Sequence, residues 1–400
     1  MNIIKIFAYR TYQVAFRIAL PILPYRNPII INEIEKVYEV ILSNEKRNPL
    51  IVTDGFIRNL EVFKILEESL KSNNVNYNIF SDVVANPTSD NVNQALSIYK
   101  ENNCDCLIAI GGGSVMDCAK AMGALIARPK KTLADLAGIL HVRHKIPLLI
   151  AIPTTCGTGS ETTLAAVIVD SKTRHKYAIN DFPLIPKYAV LDSKTIKTLP
   201  KSLVSTTGLD ALTHAIEAYI GRSTTKSTRK DALDAIKLIF ENIELASLHD
   251  EAALKNMLDA SHKAGRAFSK SYVGYVHALA HSLGGKYNIA HGYANAVILP
   301  IVLKEYGTKI YKKLAKIADY CELGKGLSVN GKALLVLSRI DELNNKLNIA
   351  SSIPEIKEED IDEMAKYAVK EANPLYPVPV LWDLKKMKEM YYKIKGEDNE

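Results

Sequence analysis

The feature that most limits the fold is a change of texture near Pro200. Before it, five short runs of β-forming residues, Leu50–Asp54, Tyr77–Phe80, Cys106–Ile110, Leu148–Ile152 and Ala166–Val169, alternate with stretches such as Ile57–Ser72 and Val115–Ala127 that carry apolar residues at helical spacing. That alternation predicts a mostly parallel sheet with helices on both faces, the helical stretches serving as crossovers. After it, Ser202–Tyr392 keeps Leu, Ala, Ile and Lys at helical spacing without a strand-like run, so an all-helical domain is expected. Three parts follow: a basic apolar segment over 1–28, an α/β domain over 29–200 and a helical domain over 201–400, with a cleft between the last two as the expected place for a site. The polar tail from Lys393 to Glu400 is expected to fray.

Apolar residues at 48% and charged residues at 24% of 400 fit a globular chain with a sizeable core and exclude a disordered one. The net charge of +7 is spread without a dense basic run interleaved with aromatics, so nucleic acid is not an expected partner. Cys104, Cys106, Cys118, Cys156 and Cys321 include no C-x-x-C pair, which points to core thiols in a reducing cytoplasm rather than to disulfides or a zinc ribbon. Residues 1–32 carry Lys5, Arg10, Arg17 and Arg26 and no acid. Arg10, Arg17, Pro21 and Pro24 interrupt the hydrophobicity well short of the ~20 residues a membrane span needs. The segment therefore reads as an extra helix packed on the body or on a partner subunit, or as a basic amphipathic helix resting on a membrane surface.

Two turns carry nucleotide chemistry. Ile108-Ala109-Ile110 runs into Gly111-Gly112-Gly113-Ser114 and then into a helix. Three glycines let the backbone approach a bulky anion while the N–H groups and positive dipole end of the helix point at it. Asp117, expected in the first helical turn, complements that dipole. Pro153-Thr154-Thr155-Cys156-Gly157-Thr158-Gly159-Ser160-Glu161 follows another strand and offers hydroxyls for sugar and phosphate oxygens. At a third strand end, Asp54 is placed to accept hydrogen bonds from ribose hydroxyls and to repel an added phosphate, favouring NAD over NADP, unless it only shapes its own turn.

Asp210 and His214 stand four apart in a helical stretch, as do His277 and His281, and His291-Gly292 follows after Gly284-Gly285, read here as the end of a helix. Four of nine histidines thus fall in two short segments with apolar surroundings. One carboxylate with several imidazoles suits Fe(II), Zn(II), Co(II) or Ni(II) rather than Mg(II) or Ca(II).

Taken in order, these motifs resemble the iron-containing (group III) alcohol dehydrogenase family: Gly111-Gly112-Gly113-Ser114-x-x-Asp117, Pro153 to Glu161, Gly208-Leu209-Asp210-Ala211-Leu212-Thr213-His214, and His277-x3-His281-x9-His291-Gly292, with Asn373-Pro374 as a late element. The resemblance implies an N-terminal dinucleotide-binding domain with a Rossmann-like parallel sheet, an all-helical C-terminal domain, a metal between them, and a homodimer in the cytoplasm. It implies Asp210, His214, His277 and His291 as metal ligands, Fe(II) before Zn(II), and His281 beside the metal as a proton relay. Asp54, Asn86, Gly113, Ser114, Thr154, Thr155 and Lys176 match its NAD(H) contacts, to which the turn adds Gly111 and Gly112. Ala165 stands where some members carry an asparagine. The activity implied is hydride transfer between a short-chain primary alcohol or diol and nicotinamide. The alternatives are a zinc polyol dehydrogenase or a dehydroquinate-synthase-like lyase on the same architecture, which use three protein ligands, and a non-catalytic peripheral membrane protein.

Overall fold

All six residues of Cys106–Gly111 are buried, as befits a parallel strand covered on both faces, and this strand is the middle of the main sheet. The protein is described from a computed structural model, over residues 1–173 and 175–397. Its strands are β1 (Ile29–Ile31), β2 (Pro49–Val52), β3 (Asn78–Phe80), β4 (Cys106–Gly111), β5 (Gly138–Ile139), β6 (Leu148–Pro153), β7 (Ala165–Val169), β8 (Lys176–Asn180) and β9 (Tyr188–Val190). The main sheet has the order β1-β9-β6-β4-β2-β3, with every pairing parallel. Successive side chains point to opposite faces, and the apolar layers divide accordingly. Leu50, Val52, Leu107, Ala109, Leu149 and Ala151 belong to one layer; Ile51, Cys106, Ile108, Ile110, Ile150 and Ile152 belong to the other. Helices Ser89–Glu101 and Gly113–Ala127 cover the first. Helix Glu61–Ser72 covers the second through Val62, Phe63, Leu66 and Leu70.

The run Ala166–Val169, expected in the parallel sheet, lies elsewhere: β7 is antiparallel to β8 in a separate sheet of order β5-β8-β7. Its burial alternates, with Ala166 and Ile168 buried between half-buried neighbours, the period-two pattern of a sheet with one wet face. Helix Gly113–Ala127 packs on β4 and also on β7, which is why it is apolar and buried nearly all round.

The chain divides into two compact units, Pro24–Leu199 and a helical one made of Pro200–Glu400 with Met1–Leu23. Within the second, helix Lys201–Ile220 is held closely by its neighbours. A Cβ on Gly208 would lie 2.8 Å from Met257 Cε and 2.9 Å from Ile243 Cδ1, so helices Lys226–Ala246 and Glu251–Ser271 close onto it. Its last carbonyls, of Tyr219, Ile220 and Gly221, accept hydrogen bonds from Lys313 Nζ, a cation at the negative end of the helix dipole. Helix Tyr275–Tyr287 does not stop at Gly284-Gly285; it ends at Asn288, whose φ of 54° supplies the left-handed cap. Helix Leu384–Lys395 reaches into the tail expected to fray, because Ile394 is buried; residues 398–400 lie outside the described residues.

The N-terminal segment folds as helix Ile3–Ala19, docked on its own unit. Arg10 donates to Val378 O at 2.7 Å and Pro379 O at 3.0 Å, and Gln13 Nε2 donates to Tyr376 O at 2.8 Å. Burial pulls the Arg10 guanidinium down to about 10, helped by Arg222 nearby. Among the described residues no helix is long and apolar enough to cross a membrane.

Candidate metal centre and nucleotide turns

Asp210 and His214 lie one turn apart on helix Lys201–Ile220, His277 in the first turn of helix Tyr275–Tyr287, and His291 at the start of helix His291–Tyr306. One ligand atom from each falls within 4.8 Å of the others. Asp210 Oδ1 is 3.7 Å from His277 Nε2 and 3.6 Å from His291 Nε2, and Asp210 Oδ2 is 3.9 Å from His214 Nδ1. Two donors on one tetrahedral ion at ~2.1 Å stand about 3.4 Å apart, so the four atoms need little movement to share a cation. Asp210, His214 and His277 are buried while His291 is exposed, leaving the group open on one side.

The sequence around the centre shows how it is built. A Cβ on Gly292 would meet the backbone oxygen of Thr206 at 2.5 Å; only glycine lets His291 come this close to Asp210. A Cβ on Gly274 would meet Glu217 Oε1 at 2.5 Å. Glu217 is fully inside, and its carboxylate accepts from Gly274 N and Val276 N at 2.8 Å each and from His277 Nδ1 at 2.6 Å. Burial pushes its carboxyl up to about 7 against those backbone N–H groups. Burial, then His214, His291 and His281, hold His277 well below the usual histidine range, so its ring is neutral. With Nδ1 engaged by Glu217, the buried Nε2 makes no hydrogen bond to the described residues and faces Asp210. A buried lone pair aimed at a carboxylate and two further imidazoles fits a divalent cation.

Sequence reading missed Glu217, Asn295 and Glu371. Asn295 Nδ2 donates to Asp210 Oδ1 at 2.7 Å. Glu371 Oε1 accepts from His281 Nδ1 at 2.6 Å and from Tyr376 Oη at 2.6 Å, and the His281 ring stacks 5.0 Å from that of His291. Each partner comes from another helix and carries no local motif.

In the other unit, β4 ends at Gly111 and the helix starts at Gly113. A Cβ on Gly111 would run into Val115 at 2.5 Å, and one on Gly113 would press Thr158 at 3.1 Å. Thr154 N donates to Gly111 O at 3.1 Å, so the two turns are adjacent at the carboxyl ends of neighbouring strands β4 and β6, where a ligand is expected. Ser114 Oγ accepts from Asn86 N at 3.3 Å, and Asn86 Oδ1 from Lys176 Nζ at 2.8 Å, which gathers those three. Asp54 sits just past β2, but its Oδ1 accepts from Phe56 N and Ile57 N at 2.9 and 2.8 Å and so shapes its own turn. Asp117 lies beyond the first helical turn and caps nothing; burial raises its carboxyl to about 6. Lys120, buried on the same helix, donates to Ser160 O, Ser160 Oγ, Thr163 Oγ1 and Ala165 O at 2.6 to 3.0 Å.

A helical unit able to grip a Lewis acid and a sheet unit able to seat a nucleotide define the class: a metal-dependent dehydrogenase. The model of the iron-containing alcohol dehydrogenase family matches residues 29–193, and that of the family's C-terminal part matches residues 204–394. Alcohol dehydrogenase 4 of Schizosaccharomyces pombe is 38% identical over 342 residues, 83% of this chain and 79% of that one. The NAD-dependent methanol dehydrogenase of Bacillus methanolicus is 35% identical over 327 residues, 80% of this chain and 86% of that one. The crystal structure of a 1,3-propanediol oxidoreductase matches with a TM-score of 0.88 at 31% identity, over 92% of this chain and 98% of that one. The chain belongs to the iron-containing alcohol dehydrogenase family.

Proposed function

We propose that this NAD(H)-linked alcohol dehydrogenase acts on a short-chain primary alcohol or diol and its aldehyde, with Asp210, His214, His277 and His291 holding Fe(II), or Zn(II) in its place. When bound, the metal would supply a Lewis acid for the substrate oxygen and the coenzyme a hydride donor or acceptor for the substrate carbon. Glu217 keeps the His277 proton on Nδ1 and so presents Nε2 inward. Asn295 orients Asp210. Glu371, pushed up by burial but brought below the usual carboxylate range by His281 and Tyr376, keeps a proton on His281 Nδ1 and leaves Nε2 to exchange the substrate's proton. Gly111, Gly112, Gly113, Ser114, Thr154, Thr155, Asn86 and Lys176 would seat the coenzyme phosphates and ribose, and Asp54, while its Oδ1 fixes its own turn, would face the adenosine end.

The observation that carries this reading is the close meeting of four ligand atoms from three helices. The relatives named for methanol and 1,3-propanediol support a small substrate. Anaerobic protein loaded with Fe(II) or Zn(II) should oxidise NADH with short aldehydes; absence of turnover on every one tested defeats the assignment. His214→Ala should lose metal as well as activity, separating this enzyme from three-ligand relatives. A cytoplasmic setting is supported by five free cysteines, four of them buried. A homodimer is supported by edge strand β1, which leaves Ile29 and Ile30 exposed.

A further inference from the structure

Helix Ile3–Ala19 packs Phe16 against Tyr272 and is followed by the buried Leu20, yet it shows a further apolar stripe to solvent where an ordinary surface helix shows a polar one. The side facing the body carries Arg10 and Gln13, both spent on backbone carbonyls of residues 374–379. The outward side carries Ile3, Phe7, Val14 and Ile18, spaced four, seven and four residues apart and hence on one face. Ile3, Phe7 and Ile18 are 79%, 74% and 70% exposed, and Ile22 of the following turn is 84% exposed. A run of this kind on a soluble body marks a surface that something covers.

Charge selects the occupant. Lys5 and Arg17 are exposed on the same helix, and no acid occurs before Glu33. Two copies of this face meeting about a two-fold axis would bring Arg17 and its counterpart to the seam with no carboxylate in the segment to answer them. An apolar arc with Arg17 at its margin, on a helix whose exposed charges are all cationic, is instead complementary to anionic headgroups above an acyl layer. We propose that helix Ile3–Ala19 with Ile22 is a peripheral docking surface for an anionic lipid bilayer, holding the enzyme at a membrane face without spanning it.

The test is cosedimentation of the full-length metal-loaded enzyme with vesicles of phosphatidylglycerol and phosphatidylcholine, or of phosphatidylcholine alone. The enzyme is expected to pellet with the anionic vesicles at low salt, about tenfold or more weakly with the neutral ones, and to be released as salt rises. The triple variant Ile3→Ser, Phe7→Ser, Ile18→Ser should lose vesicle binding, and Lys5→Glu with Arg17→Glu should lose the anionic preference, both with unchanged NADH-linked turnover. The proposal is overturned if the wild type stays in the supernatant at low salt, or if the triple variant pellets like the wild type. It is also overturned if sedimentation velocity shows the triple variant with fewer subunits, for then a second copy covers the face.

Discussion

At the scale of single residues, the centre depends on side chains that never touch the metal. Glu217→Gln keeps size and one acceptor but lets the His277 proton migrate, so the divalent metal should bind about 10- to 100-fold more weakly; titration with a chromogenic chelator reads this directly. Gly292→Ala sets a methyl 2.5 Å from the Thr206 carbonyl, a backbone atom that cannot swing aside, and costs about 1–3 kcal/mol. Calorimetry should show a lower melting temperature, with metal content reduced as His291 is pushed from Asp210. Gly292 was legible in the sequence as the neighbour of a candidate ligand, and the Asp210, His214, His277, His291 quartet from its spacing together with the family motifs. Glu217 was not, because an acid whose partners lie some sixty residues onward looks like any other acid in a helix.

Among elements, helix Gly113–Ala127 is the instructive case. Its start was legible because three glycines after a β-run let the chain turn tightly into a helix. Its packing against a second small sheet was not, since Ala166–Val169 is too short to distinguish a buried parallel strand from a half-wet antiparallel one. Strands β1 and β9 are three residues each and offer no period to read. Lys120 follows from that packing: its amine fastens Ser160, Thr163 and Ala165 to the helix whose first turn we propose as a coenzyme seat. Lys120→Met leaves buried carbonyls without a donor, costing about 1–3 kcal/mol, and should raise the KM for NADH about tenfold while changing kcat less. Burial pulls this lysine down to about 8 from 10.5. Between those values the unfolded chain binds the extra proton, so this lysine's contribution to stability rises with pH. Melting temperatures from pH 8 to 10 should therefore shift in favour of the wild type relative to Lys120→Met.

For the whole molecule, the four proposed metal donors belong to one compact unit and the turns proposed for the coenzyme to the other. Stripping the metal should lower the melting temperature, since a ligand at a hundred times its Kd contributes about 2.7 kcal/mol, while NADH fluorescence enhancement should persist in the stripped protein. Loss of both together would show that the two units do not behave as separate binders. The division near Pro200 was legible from the texture of the sequence, and the helix before β1 was legible as basic and apolar. Which way that helix turns was not, because Arg10 and Gln13 find their acceptors in residues 374–379, at the far end of the chain.

Because the four proposed donors come from three helices of a single unit, exchanging iron for zinc would ask nothing of the turns proposed to seat the dinucleotide. A cell short of one transition element could refill idle enzyme from another without rebuilding its preference for coenzyme.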